Sequence, residues 1–398
     1  MNKLFAKDEL KIVGLFYVER FFSHTVYFVP AFLVIFFKEM LSITQISMLF
    51  FALAISNFIF EIPTGAFADV FGRKTSTLLG YIMIGMLMPM FLLVDNFYML
   101  LLLFFLWGLF GTFYSGAREA WTVDNLKYYN KKDLINTYYL KEHSIINFGL
   151  FLSGFLGAFI VAKLGLNAIW IFASLSWIVS FLLLLPIQEH KLTKEMKISF
   201  RKLYLQSKEG IQYSVQHKVL LFLLVASFFI MFRDSFDGPL IWQPFLQDLG
   251  VPVYFFGIIF SISTVLGSIA PFIAKPMLKV CKSEKIYLIV LLVAGMLLNF
   301  GVLFVDNVIT GLVLMLSMLL LVDLSMPIEN SFTQKFIPSK TRATITSFKS
   351  MIISLAHAVS YPIAGIVADT FGTQYTIVAG GLFLVPAIYC YSRIKTKK

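Results

Sequence analysis

Of 398 residues, 59% are hydrophobic, 17% aromatic and only 14% charged, a balance that excludes an ordinary soluble globule, where about a quarter of residues carry charge. The net charge of +11 alone would suit a nucleic-acid binder, but the placement of the basic residues, traced below, argues against one. The two cysteines, Cys281 and Cys390, fall on a loop and in the last apolar run, so neither a disulfide framework nor a metal site is expected.

Runs of about 20 apolar residues mark membrane-crossing helices, and twelve follow one another here. The first, 12–37, is longer than the apolar core of a cleavable signal and contains Glu19 and Arg20, so no signal peptide is expected. Spans two to six are placed at 45–66, 77–94, 98–122, 144–161 and 167–187. Spans seven to twelve follow at 219–246, 253–273, 286–305, 308–329, 345–367 and 374–391. Between the halves, Phe200, Leu203, Tyr204, Ser207 and Ile211 recur at helical spacing among Lys and Glu. This predicts an amphipathic linker helix on the inner surface. The chain divides into 1–187, 188–218 and 219–398, all-α throughout.

Orientation follows from Lys and Arg. With the N-terminus inside, the inner segments hold 27 of the 33 basic residues, the outer loops hold only Lys38 and Lys163, and Arg20, Arg118, Arg233 and Lys349 lie within spans, the last near the inner end of span eleven. The positive charge therefore marks cytoplasmic loops, with both termini cytoplasmic, and nucleic acid is not a partner. The halves also repeat. Leu164-Gly165 matches Phe371-Gly372 at an offset of 207, Ser115 and Glu119 match Ser325 and Glu329 at 210, and Pro30 matches Pro239 at 209. Such offsets predict two six-helix bundles related by an axis along the membrane normal.

Behind span two stands Gly65-Ala66-Phe67-Ala68-Asp69-Val70-Phe71-Gly72-Arg73-Lys74, after Glu61-Ile62-Pro63-Thr64. Lipid does not tolerate this charge cluster, so it belongs at a membrane–water boundary, and its glycines predict a short loop rather than continued helix. The segment resembles the loop between helices two and three of the major facilitator superfamily, with a pattern of roughly G-x-x-x-D-x-x-G-R-R/K carried by Gly65, Asp69, Gly72, Arg73 and Lys74. The resemblance implies twelve helices in two bundles, a central cavity lined by helices one, four, seven and ten, and a latching role for this loop. Asp69 would accept from N–H groups at the start of span eleven, where the helix dipole is positive, and Arg73 would pair with Asp124. The plainer alternative is a basic loop that only sets topology. Val70 stands where many members carry a basic residue, and the second-half loop, Lys275–Lys285, lacks the pattern.

Ionisable residues inside spans are functional candidates, because each is expensive unless paired or hydrated. Arg20, His24 and Tyr27 share a face of span one, while Glu19 points about 100° away and cannot pair with Arg20. On span seven Arg233 and Asp237 are i, i+4 neighbours, and Asp234 must find another partner. Spans four, two, ten and eleven add Arg118 with Glu119, Glu61, Asp323 with Glu329, and His357. The acids within spans, Glu19, Glu61, Glu119, Asp234, Asp237, Asp323 and Glu329, number seven against three arginines. Such a surplus cannot stay ionised in low dielectric, which is what a proton carrier requires. Asp234 is the preferred carrier and Glu19 the next, followed by Asp237, Glu61, Glu119 and Asp323. Against this, Glu61, Glu119 and Glu329 near inner helix ends also read as wetted structural groups, and His24 and His357 as interhelical hydrogen-bonding groups. Arg20, His24, Tyr27, Tyr114, Arg118, Arg233, Trp242 and His357 are the substrate-cavity candidates.

Span five carries Gly149, Gly154, Gly157 and Ala158, similar to the glycine-rich helix of proton-driven efflux members but without its central proline. Span four has Trp107 where those members usually carry an arginine. No phosphate loop, Ser-His-Asp set or metal-spaced cluster is present, so neither an enzyme nor a cofactor is expected, and work must come from an ion or substrate gradient. The leading expectation is a monomeric plasma-membrane transporter exchanging protons for a small organic, amphipathic substrate in the export direction. Uptake symport of a polar solute is the alternative, and a non-transporting membrane sensor is a third class, disfavoured because no long soluble signalling domain is present.

Overall fold

A computed structural model describes residues 5–190, 212–338 and 342–394. The linker residues Phe200, Leu203, Tyr204, Ser207 and Ile211 lie outside the described residues. All regular structure among the described residues is helical, as a lipid-embedded chain requires when every backbone N–H and C=O must be satisfied within its own segment.

In the first half the helices are α1 (Glu9–Val26), α2 (Val29–Lys38), α3 (Ile43–Phe71), α4 (Arg73–Leu87), α5 (Phe97–Tyr114), α6 (Ala117–Tyr128), α7 (Ile135–Leu164) and α8 (Ala168–Leu184). The second half contains α9 (Lys218–Asp237), α10 (Pro239–Asp248), α11 (Phe255–Cys281), α12 (Glu284–Gly301), α13 (Val308–Gln334), α14 (Arg342–Phe371), α15 (Thr373–Leu382) and α16 (Leu384–Arg393). Joined across their breaks, they give eleven stretches long and apolar enough to cross a membrane, together with the shorter Ala168–Leu184.

The breaks have local causes. Gly116, at φ 67, separates α5 from α6, and Gly238-Pro239 separates α9 from α10, with Pro at the first helical position. Pro63, Pro271, Pro276, Pro327 and Pro362 stay inside continuous helices, which membrane spans tolerate because neighbouring groups re-satisfy the freed carbonyl. Asn96 and Asn307 cap α5 and α13 by accepting from backbone N–H groups.

Several boundaries differ from the sequence expectation: spans four, eight and ten run on to Tyr128, Cys281 and Gln334, and two further differences have clear causes. The predicted loop after span two is helical: α3 runs through Gly65 and Asp69 to Phe71, and only Gly72 interrupts it, at φ 108. A helical glycine costs about 1 kcal/mol without ending the helix, whereas Gly72 takes up the left-handed conformation. Span five begins at Ile135 rather than near Ser144, because a helix does not stop where its side chains turn polar.

The helices group into two compact units. The first comprises Met1–Phe36, Ile55–Met196 and Pro252–Thr264, and the second Phe37–Ala54, Lys197–Val251 and Val265–Lys398. In the first, α1 packs on α7 and α8, and α4 on α5 and α8, around Phe16, Tyr81, Trp121, Leu126, Tyr138 and Leu184. Glycines set close approaches: a Cβ at Gly157 would meet the Phe28 ring at 2.9 Å, and Gly154 lies backbone to backbone with Gly257 of α11. In the second unit α9 packs on α14 and α16, and α12 on α13 and α15, around Leu223, Ala226, Tyr287, Leu291, Ala387 and Tyr391.

Candidate functional site

The break at Gly116 starts α6 so that Arg118 falls in its first turn and is buried, with 1% exposure. Its guanidinium donates through Nε to Glu19 Oε2 at 3.1 Å and pairs with the same oxygen through Nη2 at 2.9 Å. It also donates to the Phe16 carbonyl at 3.2 Å and to Tyr138 Oη at 3.3 Å, and it contacts Glu142. Glu142 in turn accepts from Arg20 Nε at 3.0 Å and from Tyr138 Oη at 2.9 Å, and Glu19 accepts from Tyr81 Oη at 3.1 Å. At the start of α1, about three turns before Glu19, Glu9 accepts from Lys141 at 2.7 Å and from Tyr17 at 2.9 Å.

Three acids here, Glu9, Glu19 and Glu142, meet three bases, Arg20, Arg118 and Lys141, all held by directional bonds, so the cluster is a neutralised network. Glu19, which the sequence places out of reach of Arg20, is paired from another helix. It does not face Arg20, but α6 supplies Arg118 from the other side. Arg20 and Arg118 are likewise bound internally. The other candidates of this unit surround the network. His24 Nδ1 lies 2.9 Å from the Arg20 carbonyl oxygen. Tyr27 packs on Trp177, and Tyr114 on Tyr81 and Trp177.

At the signature, Arg73 pairs with Asp124. Glu189, beyond span six, caps α4 by accepting from the N–H groups of Arg73 at 2.6 Å and Lys74 at 3.3 Å. A Cβ on Gly72 would stand 2.6 Å from the Glu189 carboxylate, whereas Gly65 has open space around it. Lys74 donates to the Leu185 carbonyl at 2.8 Å. Asp69 is exposed and makes no hydrogen bond or ion pair among the described residues. Nearby, Glu61 accepts from Ser115 at 3.4 Å, and Glu119 is exposed.

In the second unit Arg233 and Asp237 pair along α9. Asn299 of α12 completes them, accepting from Arg233 at 3.3 Å while donating to Asp237 at 3.0 Å and to the Ile377 carbonyl at 2.8 Å. Between them in sequence but on another face, Asp234 is half-buried and has no hydrogen bond or ion pair among the described residues. Its electrostatic neighbours are His357 and Tyr361 of α14. His357 Nδ1 lies 3.3 Å from Ser235 Oγ, Ser360 donates to Ser235 at 2.6 Å, and Tyr361 stacks on His357. Asp323 on α13 presses against Gly267, where a Cβ would lie 2.9 Å from the carboxylate, and it too lacks a partner among the described residues. Glu329 is tied to Lys349 at 2.8 Å and Ser227 at 3.0 Å. Trp242 is buried against Phe245. Among the described residues no His, Cys, Asp and Glu side chains converge as metal ligands.

Sequence reasoning missed Glu142, Tyr138, Asn299 and Glu189. Tyr138 and Glu142 are i, i+4 in register with the spacing of span five, a signal hidden by ending that span at its first polar residues. Asn299 and Glu189 act across helices and leave no local pattern.

The family model of the Major Facilitator Superfamily matches residues 20–359 and 222–397. The chain belongs to this superfamily. A relative from Bacillus subtilis (strain 168), described as the uncharacterized MFS-type transporter YxaM, is 26% identical over 356 residues, covering 87% of this chain and 86% of that protein. Among solved structures, the nucleoside transporter NupG aligns with a TM-score of 0.72 at 13% identity, over 96% of this chain and 100% of that one. The POT family transporter PepTSo aligns with a TM-score of 0.73 at 13% identity, over 96% and 97%. At such identities the likeness establishes the fold. The protein is thus a multi-pass membrane transporter of the facilitator type, its twelve helices arranged as two six-helix bundles.

Proposed function

We propose that this facilitator exports a small organic, amphipathic compound in exchange for protons, by alternating access in the plasma membrane with both termini cytoplasmic, and that Asp234 carries the proton. The observation behind the coupling is the contrast within α9. Asp237 is paired with Arg233 and accepts a hydrogen bond from Asn299, while Asp234, three residues earlier, has only the His357–Ser235–Ser360 chain and Tyr361 beside it. Such a carboxyl has no ion pair to break when it takes up a proton, and a histidine alongside can relay the proton. Export draws support from α7, whose Gly149, Gly154 and Gly157 let α1 and α11 approach its backbone closely, in keeping with the glycine-rich fifth helix of efflux members.

The test begins with a thermal-shift screen of small molecules on detergent-purified protein at two pH values. For a ligand so found, exchange requires that binding release a proton, and uptake symport requires that binding take one up. In proteoliposomes with an imposed pH difference, Asp234→Asn should abolish accumulation against the gradient yet keep downhill exchange. Continued accumulation by Asp234→Asn would remove the residue from the mechanism, and proton uptake on binding would reverse the direction.

A further inference from the structure

The signature of span two has a second copy. Gly65-Ala66-Phe67-Ala68-Asp69-Val70-Phe71-Gly72 and Gly365-Ile366-Val367-Ala368-Asp369-Thr370-Phe371-Gly372 share Gly, Ala, Asp, Phe and Gly in register, 300 residues apart. Each closes a long helix, and each ends in a glycine at positive φ, 108° and 92°, after which the next helix starts at once. The two copies differ in what the aspartate holds. Asp69 holds nothing among the described residues. Asp369 accepts from the N–H groups of Ile43 at 3.1 Å and Thr44 at 2.7 Å, the first two residues of α3, where the helix has unpaired donors and the positive end of its dipole.

This contact is more than a cap. The start of α3 already carries a reciprocal capping pair, with Gln45 N–H donating to Ser42 Oγ at 3.2 Å and Ser42 N–H to Gln45 Oε1 at 3.1 Å. Asp369 therefore adds little to the helix itself, and what it stabilises is the apposition of α14 with α3. The apposition is close: Gly365 faces Thr44 and Ser47 so tightly that a Cβ would stand 2.8 Å from Thr44 Cα, and Tyr361 packs on Phe50 with centroids 5.4 Å apart. Ser47 is fully buried there, with 0% exposure.

We infer that Asp369 is a gating residue: its grip on α3 is made in the state seen here and broken in another state of the transport cycle. The inference requires a transporter that changes state, whatever its coupling ion or direction. An equilibrium between states shifts only through interactions that differ between them, so neutralising Asp369 must favour the state in which α3 and α14 part.

Opening is read as maleimide labelling of a cysteine at Ser47, in purified protein whose Cys281 and Cys390 are replaced by Ser. Asp369→Asn should raise the rate about twofold to fivefold, the population change expected from losing the negative charge and one acceptor oxygen at a helix N-terminus, and Gly365→Ala should raise it with Asp369 intact. A cysteine at Phe50 serves as a second reporter should Ser47→Cys itself disturb the packing. The control is a cysteine at Ser180 of α8, also fully buried, whose rate should not change. Equal rates at Ser47 and Phe50 in the wild type and Asp369→Asn would overturn the inference. A parallel rise at Ser180, meaning general loosening, would do the same.

Discussion

Arg118 shows how costly a buried charge is when its partners are removed one at a time. Its guanidinium sits between Glu19 and Glu142, with 1% exposure. Breaking such a pair from one side costs about 3–5 kcal/mol, because the remaining charge stays buried without compensation. Arg118→Met leaves two carboxylates facing each other and should lower the melting temperature strongly in detergent. Adding Glu19→Gln to that variant should restore part of the loss, a coupling measured by a double-mutant cycle. If the double variant melts no higher than the single one, the two residues do not act as a pair. Sequence spacing was enough to expect the Arg233–Asp237 pair, since i, i+4 is a property of one helix. The partners of Glu19 and Arg20 were illegible for the opposite reason, because they come from α6 and α7, and no local spacing records which helices pack together.

Within elements, the family pattern treats Gly65 and Gly72 alike, and the structure separates them. Gly65 lies inside α3 with nothing near its absent Cβ, while Gly72 sits at φ 108 with the Glu189 carboxylate where a Cβ would go. Gly65→Ala should stabilise the protein by about 0.5–1 kcal/mol, since alanine loses less entropy in a helix. Gly72→Ala should destabilise by about 1–2 kcal/mol from the left-handed conformation alone, with a further cost from displacing the cap of α4. Melting temperatures that move in the same direction for both variants would contradict this account. The same two helices mark how far the sequence could be read. Twelve apolar runs located twelve spans to within a few residues where a run ended in a glycine turn, as at Gly165 and Gly372. They failed where a helix outlasts the apolar region, as at Phe71 and Ile135, since hydropathy records lipid contact and the backbone ladder continues beyond it.

For the whole molecule, the charge distribution predicts that a tag after Lys398 is labelled only from the cytoplasmic side of intact cells. Labelling from outside would reverse every span. The sharper prediction concerns Asp69. Its carboxylate touches no donor among the described residues, so Asp69→Asn should leave the fold and its melting temperature unchanged. Substrate binding should also stay within about threefold, because an exposed group remote from the buried clusters contributes no contact to a ligand. A role in gating would nonetheless make transport fall steeply, by about tenfold for one charge-assisted interaction of about 1.4 kcal/mol lost from a single state. Arg73→Ala and Asp124→Asn should reduce transport more mildly, and with some loss of stability, since their pair is already formed. Transport in proteoliposomes and ligand affinity in detergent, measured on the same preparations, separate the two quantities. Undiminished transport by Asp69→Asn would leave the signature with the topology-setting role of its basic residues alone.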